Sequence, residues 1–261
     1  MTDTMLEARQ LDYRIGDAVI LRSIDLRVEK GSFCGIIGPN GSGKSTLLKL
    51  LSGIEPPERG EIMLEGRPLD NYGRKEIARR MAVLQQEPLP SLGYTVKEVV
   101  EMGRFPYQSW FGGEKDDPGP IIDRVMAELD LQRLSSRIVT ELSGGERQRT
   151  ALAKTLVQQP SVLMLDEPTT FLDIGFQIQM MDYVRKWRQD NGLTVVAVLH
   201  DLNLAAQYCD RLIVLHQGRV AAEGTPEEVL TVDLVHRVYG TKPIVLSHPD
   251  TGVPQILLKG R

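Results

Sequence analysis

FCGIIGPNGSGKSTLLKLLSG, residues 33–53, decides the fold. Its first five residues are nearly all apolar, as befits a short strand buried on both faces. KSTLLKLL at 44–51 has helical spacing. Between them Gly38-Pro39-Asn40-Gly41-Ser42-Gly43-Lys44-Ser45 fits G-x-x-x-x-G-K-[ST] in the strand–loop–helix setting that this pattern requires. Glycines let backbone N–H groups close on a phosphate, and the helix N-terminus adds positive potential. Lys44 is then placed to reach β- and γ-phosphates, and Ser45 to offer a hydroxyl to Mg²⁺.

Working outward, SVLMLDEP (161–168) and LTVVAVLHD (193–201) are equally apolar and read as further central strands. MLEARQLDYRI, RSIDLRVEKG and EIMLEGRPL alternate apolar with polar residues, the pattern of half-buried antiparallel strands. From 87 to 158 helical spacing takes over, in TVKEVVEMGR, PIIDRVMAELDL and GGERQRTALAKTLVQQ, and no strand is expected there. The Gly-, Pro- and acid-rich FPYQSWFGGEKDDPG (105–119) reads as a surface loop. The fold class is therefore α/β, a mainly parallel sheet with an antiparallel β-subdomain and an inserted α-helical subdomain. The expected division is a core plus β-subdomain (1–86 and 159–230), a helical subdomain (87–158) and a short C-terminal extension (231–261).

At 261 residues, 41% of them hydrophobic and 25% charged, the chain can fill a sizeable core and is not of disordered composition. Its longest apolar runs, VVAVL and LIVL, fall far short of the roughly 20 residues that cross a bilayer. MTDTMLEARQ has neither an apolar core nor a basic leader, so the expected compartment is the cytoplasm. Two distant cysteines, Cys34 and Cys209, exclude a disulfide framework. A net charge of −4 offers no global field for nucleic acid, and no nucleic-acid partner is expected.

Two further constellations narrow the chemistry. Asp166 ends the run VLML at the carboxyl edge of a buried strand, where it can hold Mg²⁺. Glu167 follows and can deprotonate a water for attack on a γ-phosphate. The bland alternative is a turn pair before Pro168. LSGGERQR (142–149) opens a helix, so Ser143, Gly144 and Gly145 form a second anion site, although S-G-G-E is equally a good N-cap. One nucleotide has no use for two such loops in one subunit. The economical reading gives the second loop to the nucleotide of a partner chain, in a two-fold homodimer.

With these residues in hand, the chain resembles the ATP-binding subunits of ABC transporters, a P-loop NTPase family. GPNGSGKST corresponds to the Walker A motif (Gly38 to Thr46), LSGGERQR to the signature, VLMLDEP to the Walker B motif and LHDLNLA to the switch-histidine region. The resemblance spans residues 5 to 230. It implies ATP and Mg²⁺ as ligands and ATP hydrolysis as the reaction, with Lys44 among the catalytic groups. It further implies that Tyr13 stacks on adenine and that Gln86 senses Mg²⁺ and the attacking water, with Gln85 as the alternative. Ser143 and Gly145 are implied to bind the partner's γ-phosphate, Asp173 to communicate across the dimer, and His200 to contact the γ-phosphate. Tyr13 in an alternating strand is also simply a surface aromatic, and Asp201 either fixes the His200 tautomer or caps a helix. Phe171 stands where many members carry a smaller residue.

GRFPY, TTFLDI, HDLNLAAQYCDRLIVLHQGRVAAEGTPEEVL and HPDTGVPQILL look most like the branch serving bacterial importers of iron–siderophores, haem and cobalamin. TTFLDI leans towards siderophores. The implied partners are two integral-membrane permease subunits and, indirectly, a substrate-binding protein, with the ATPase peripheral on the cytoplasmic face of the membrane. The aromatic loop from Phe105 to Phe111 either docks on the permease or packs on the helical subdomain. Competing classes fit less: a nucleic-acid or ribosome ATPase of the same family would show coiled coils, zinc modules or basic arms, and a substrate kinase leaves LSGGERQR unexplained.

Overall fold

A computed structural model describes residues 4–85, 89, 93–109, 113, 114, 116–170 and 172–258. They fall into two units, Met1–Asn71 with Thr194–Arg261, and Tyr72–Leu193.

In the first unit the alternating segments form an antiparallel sheet. Strands β1 (Thr4–Ile15) and β2 (Ala18–Glu29) make a hairpin. After β3 (Phe33–Ile37) and α1 (Lys44–Leu51), β4 (Arg59–Leu64) pairs on the other side of β1, followed by β5 (Arg67–Pro68), in the order β2-β1-β4-β5. Leu6, Ala8 and Leu11 all point inward although Leu11 breaks the two-residue period. The register shifts between Ala8 and Leu11, where Gln10 takes φ 49° and its N–H donates to Asp25 Oδ1 at 2.9 Å. A bulge thus restores the inward face after a skipped residue. All of β3 is buried, and α1 buries Leu47, Leu48, Leu50 and Leu51, each worth about 1.5–3 kcal/mol of transfer energy.

The second unit holds α2 (Arg74–Arg80), β6 (Met81–Leu84), α3 (Val96–Glu101), α4 (Gly119–Glu128), α5 (Gly144–Leu156), β7 (Val162–Asp166) and α6 (Ile174–Asn191). β6 and β7 pair in parallel. Between 93 and 158 the described residues form helices, turns and one isolated bridge, Thr95 to Ile138. Thr95 and Glu98 close a capping box on α3, satisfying two N–H groups that a helix start leaves open.

The segment after α3 departs from a plain surface loop. Met102–Tyr107 is a 3-10 helix, and Gly103 sits so close to α5 that a Cβ there would lie 2.1 Å from Lys154 O. The buried Arg104 guanidinium pairs with Glu114, donates to Val157 O at 2.7 Å and Gln159 Oε1 at 2.9 Å, and stacks 3.9 Å from the Tyr107 ring centre. Phe105, next to it, is 57% exposed. The described part of this segment is therefore fastened to the C-terminal end of α5. Phe111 lies outside the described residues.

The chain then re-enters the first unit with β8 (Thr194–Val198), α7 (Leu202–Tyr208), β9 (Arg211–His216), β10 (Arg219–Gly224), α8 (Pro226–Val229), α9 (Val232–Tyr239), β11 (Ile244–Ser247) and β12 (Pro254–Leu257). β3 runs parallel between β9 and β8, and β10 is antiparallel to β9. The tail is more ordered than a bare extension: β11 and β12 pair, and the Asn203 side chain on α7 accepts from Ile256 N at 2.7 Å.

Candidate nucleotide site

The first unit carries the phosphate loop where β3 gives way to α1. Gly38, with φ 149°, is pressed against β9, and a Cβ there would stand 2.1 Å from Leu215 O. Gly43 takes φ 101° at the N-cap of α1. Neither position accepts a side chain without displacing backbone or strained torsions. Asn40 and Gly41 are exposed, whereas Ser42 and Lys44 are 4% and 5% exposed. Lys44 Nζ donates to the carbonyls of Gly38 and Pro39, both at 3.0 Å. Ser42 Oγ is buried with no hydrogen-bond partner among the described residues. An orphaned hydroxyl inside a glycine loop, beside a buried ammonium and at a helix N-terminus, fits an anionic phosphate group. Ser45 and Thr46 follow in the first turn of α1, half-buried.

This unit also carries Tyr13 and His200, both expected at the site from the sequence, and Tyr239. Tyr13, half-buried on β1, donates its hydroxyl to Glu55. His200 is exposed just past β8. Its neighbour Asp201 is the N-cap of α7, accepting from Asn203 N at 2.7 Å and Leu204 N at 3.1 Å, so the capping role expected of it is present. Tyr239, at the end of α9, was not visible as a site residue. Burial pushes its phenol up to about 12, opposed by the facing Gly38 amide, so the C-terminal extension reaches the phosphate loop. No periodicity signals a contact between residues 201 positions apart.

The second unit carries the carboxylates. Asp166 ends β7 half-buried. Glu167 has φ 53°, a left-handed conformation that costs a non-glycine residue about 1–3 kcal/mol and collects at functional sites. Thr170 holds it, donating through N to Glu167 O at 3.2 Å and through Oγ1 to Glu167 Oε2 at 3.3 Å. Gln85 is exposed immediately after β6, and Gln86 lies outside the described residues, as does Phe171.

Ser143 is the N-cap of α5 in a full capping box: its N and Oγ donate to Glu146 Oε2 at 2.8 Å each, and Glu146 N is 3.3 Å from Ser143 Oγ. The Ser143 amide, and then its hydroxyl, hold the Glu146 carboxyl below its usual range. A carboxylate thus already rests on this helix start, as an anion should. Gly144 has open space around its α-carbon, but a Cβ on Gly145 would meet the Phe176 ring at 2.7 Å. Asp173 caps α6, accepting from Phe176 N at 3.0 Å. Phe176 lies outside every motif, and Gln148, inside the signature stretch, donates from Nε2 to Pro168 O at 3.0 Å, a contact that the motif alone does not show.

Comparison with known proteins gives this geometry its context. The ABC transporter family matches residues 21–170. The ferric enterobactin transport ATP-binding protein FepC of Escherichia coli K12 is 36% identical over 100% of this chain and 97% of its own. The probable siderophore transport system ATP-binding protein YusV of Bacillus subtilis 168 is 40% identical over 100% of this chain and 94% of its own. Relatives named for hemin or cobalamin import are 39 to 41% identical. Among solved structures, cbiO1 of Clostridium perfringens, part of the cbiONQ ABC transporter complex, superposes with a TM-score of 0.78 at 30% identity, covering 90% of this chain and 94% of that one. A strand–loop–helix phosphate cradle, strand-end carboxylates and a capped signature helix, in a chain related to these over its full length, place it in one family: the chain belongs to the ATP-binding subunits of ABC transporters and is an ATPase.

Proposed function

We propose that the chain is the energy-coupling ATPase of an importer for ferric siderophores. It acts as a homodimer, peripheral on the cytoplasmic face of the membrane, and drives two integral-membrane permease subunits that receive cargo from a substrate-binding protein. The observation that carries the nucleotide reading is the buried Ser42 hydroxyl without a partner among the described residues, set in the Gly38–Ser45 loop beside Lys44. No helix among the described residues is long and apolar enough to cross a membrane. Siderophore cargo is supported by the names of FepC and YusV. Haem or cobalamin is the second reading, favoured by relatives of equal identity.

In this reading Gly38 to Thr46 wrap the phosphates with backbone N–H groups, and Lys44 neutralises charge on the transferring group. Tyr13 supports the adenine. Ser45 and Asp166 offer hard oxygen donors suited to Mg²⁺, with Gln86 assigned to the same cation by resemblance alone. An Mg²⁺ held by these residues would supply charge neutralisation to the transferring phosphate. Glu167 takes a proton from the attacking water, and His200 contacts the γ-phosphate. Ser143, Gly144 and Gly145 close on the partner's nucleotide, and Asp173 links the two sites. The helical stretch 87–158 is the dock; Phe105 and Tyr94, 57% and 40% exposed, offer apolar contact to a permease.

Two measurements test this. Glu167→Gln is expected to bind ATP normally and to lose hydrolysis; near-normal turnover removes Glu167 as the base. Deleting the gene is expected to abolish growth on a ferric siderophore as sole iron source. Normal growth there with failed use of haem or cobalamin transfers the cargo to the second reading, and co-purification with DNA or ribosomes overturns the transporter reading.

A further inference from the structure

The strained Glu167 is followed by a segment pinned from two helices. Gln148 on α5 donates from Nε2 to the Pro168 carbonyl at 3.0 Å. Gln177 on α6 donates from Nε2 to the carbonyls of Thr169 at 3.3 Å and Leu172 at 3.0 Å. Thr170 reaches back to the Glu167 carboxylate and carbonyl. A left-handed non-glycine residue persists only where its surroundings over-determine it, and these side-chain amides contribute to that by fixing the backbone that follows Glu167. Their origins differ in one respect that matters. Gln148 belongs to the helix that Ser143 caps, five residues on, or about 7 Å along the axis.

We infer that Gln148 is a positioning residue for ATP hydrolysis: by holding the Pro168 carbonyl it fixes Glu167, and it ties the placement of that carboxylate to the seating of the signature helix. A signature that closes on one nucleotide then sets the base that serves the other. The amide is suited to this because its donor is directional and uncharged, whereas a carboxylate there repels the Pro168 oxygen. The inference rests on the reading of Glu167 as the base and goes beyond it by naming what holds that base in place.

The test uses full-length Gln148→Glu and Gln148→Met, the first isosteric without the donor, the second similar in length and uncharged. Both are to be compared with the parent chain for kcat, KM for ATP, and ATP-promoted cross-linking between Cys residues placed at 42 and 143. The expected result is a kcat at least tenfold lower, a KM within twofold, and an undiminished cross-link. In the Glu167→Gln background, Gln148→Met is expected to change the residual rate less than twofold, because the group it positions is already gone. If Gln148→Met turns over within twofold of the parent while Glu167→Gln is dead, the inference fails and the base reading stands. If Glu167→Gln itself hydrolyses normally, both fail. Loss of the cross-link together with hydrolysis also overturns the inference, since Gln148 would then act on the signature and not on Glu167.

Discussion

Ser143 carries two jobs that a pair of substitutions can separate. Its hydroxyl and amide hold Glu146 in the capping box of α5, and its proposed second task is to meet a partner's γ-phosphate. Aspartate is as good an N-cap as serine, but it brings a negative charge to a phosphate-binding position. Ser143→Asp should therefore cut hydrolysis at least a hundredfold while costing about 1 kcal/mol through repulsion from Glu146, a stability loss like that of Ser143→Ala, whose hydrolysis should fall less. Urea unfolding beside steady-state hydrolysis separates the two. Retained activity in Ser143→Asp would confine the serine to capping. Lys44→Ala should behave differently again, weakening ATP binding tenfold or more and abolishing turnover, as read by nucleotide titration, because its ammonium lies buried in the loop itself.

At the scale of elements, the join between the 3-10 helix Met102–Tyr107 and α5 is the feature with most at stake. Arg104 is buried against Glu114 and two acceptors at the end of α5. Arg104→Ala leaves the Glu114 carboxylate without its buried partner, a change that typically costs about 3–5 kcal/mol. Chemical denaturation should show a loss of that order, with part of it recovered when Glu114→Ala is added. An unchanged midpoint would show the pair to be worth nothing net. Substitutions at exposed positions between Leu92 and Tyr107, Phe105 above all, should instead uncouple hydrolysis from uptake without weakening nucleotide binding.

The same elements show what the sequence made legible. β3, β7 and β8 were readable because strands buried on both faces need unbroken apolar runs, and the capping boxes of α3 and α5 are spelled out as T-x-x-E and S-x-x-E. The motifs named the phosphate loop, the carboxylates and the signature. Arg104 with Glu114 was hidden, because the nine intervening residues, FPYQSWFGG, have no helical or strand period and end in the glycines that mark a surface loop. Gln148 with Pro168 and Tyr239 with Gly38 were hidden for a plainer reason: contacts between distant residues have no period. The β11–β12 hairpin was missed because four-residue strands with Ile244 and Leu246 facing solvent carry no reliable alternation.

For the whole molecule, alkaline pH probes the core. Burial pushes the Cys34 thiol from 9.0 to about 12 and the Tyr239 phenol from 10.0 to about 12; burial and then Asp130 do the same for Tyr183. The folded chain keeps these protons while the unfolded chain releases them. Their contribution to stability is thus complete below about pH 9 and lost between about 9 and 12. Urea midpoints should fall steadily across that window, and less steeply in Tyr239→Phe. A flat profile would contradict the burial of these groups.

The central claim is that catalysis needs two chains, the phosphate loop of one facing the signature of the other. It is tested by Ser42→Cys with Ser143→Cys in a Glu167→Gln background from which Cys34 and Cys209 have been removed. Addition of ATP under mild oxidation should convert the chain to a disulfide-linked dimer, with little product in ADP or without nucleotide. If ATP does not promote that cross-link in a variant shown to bind it, the two-chain site is wrong.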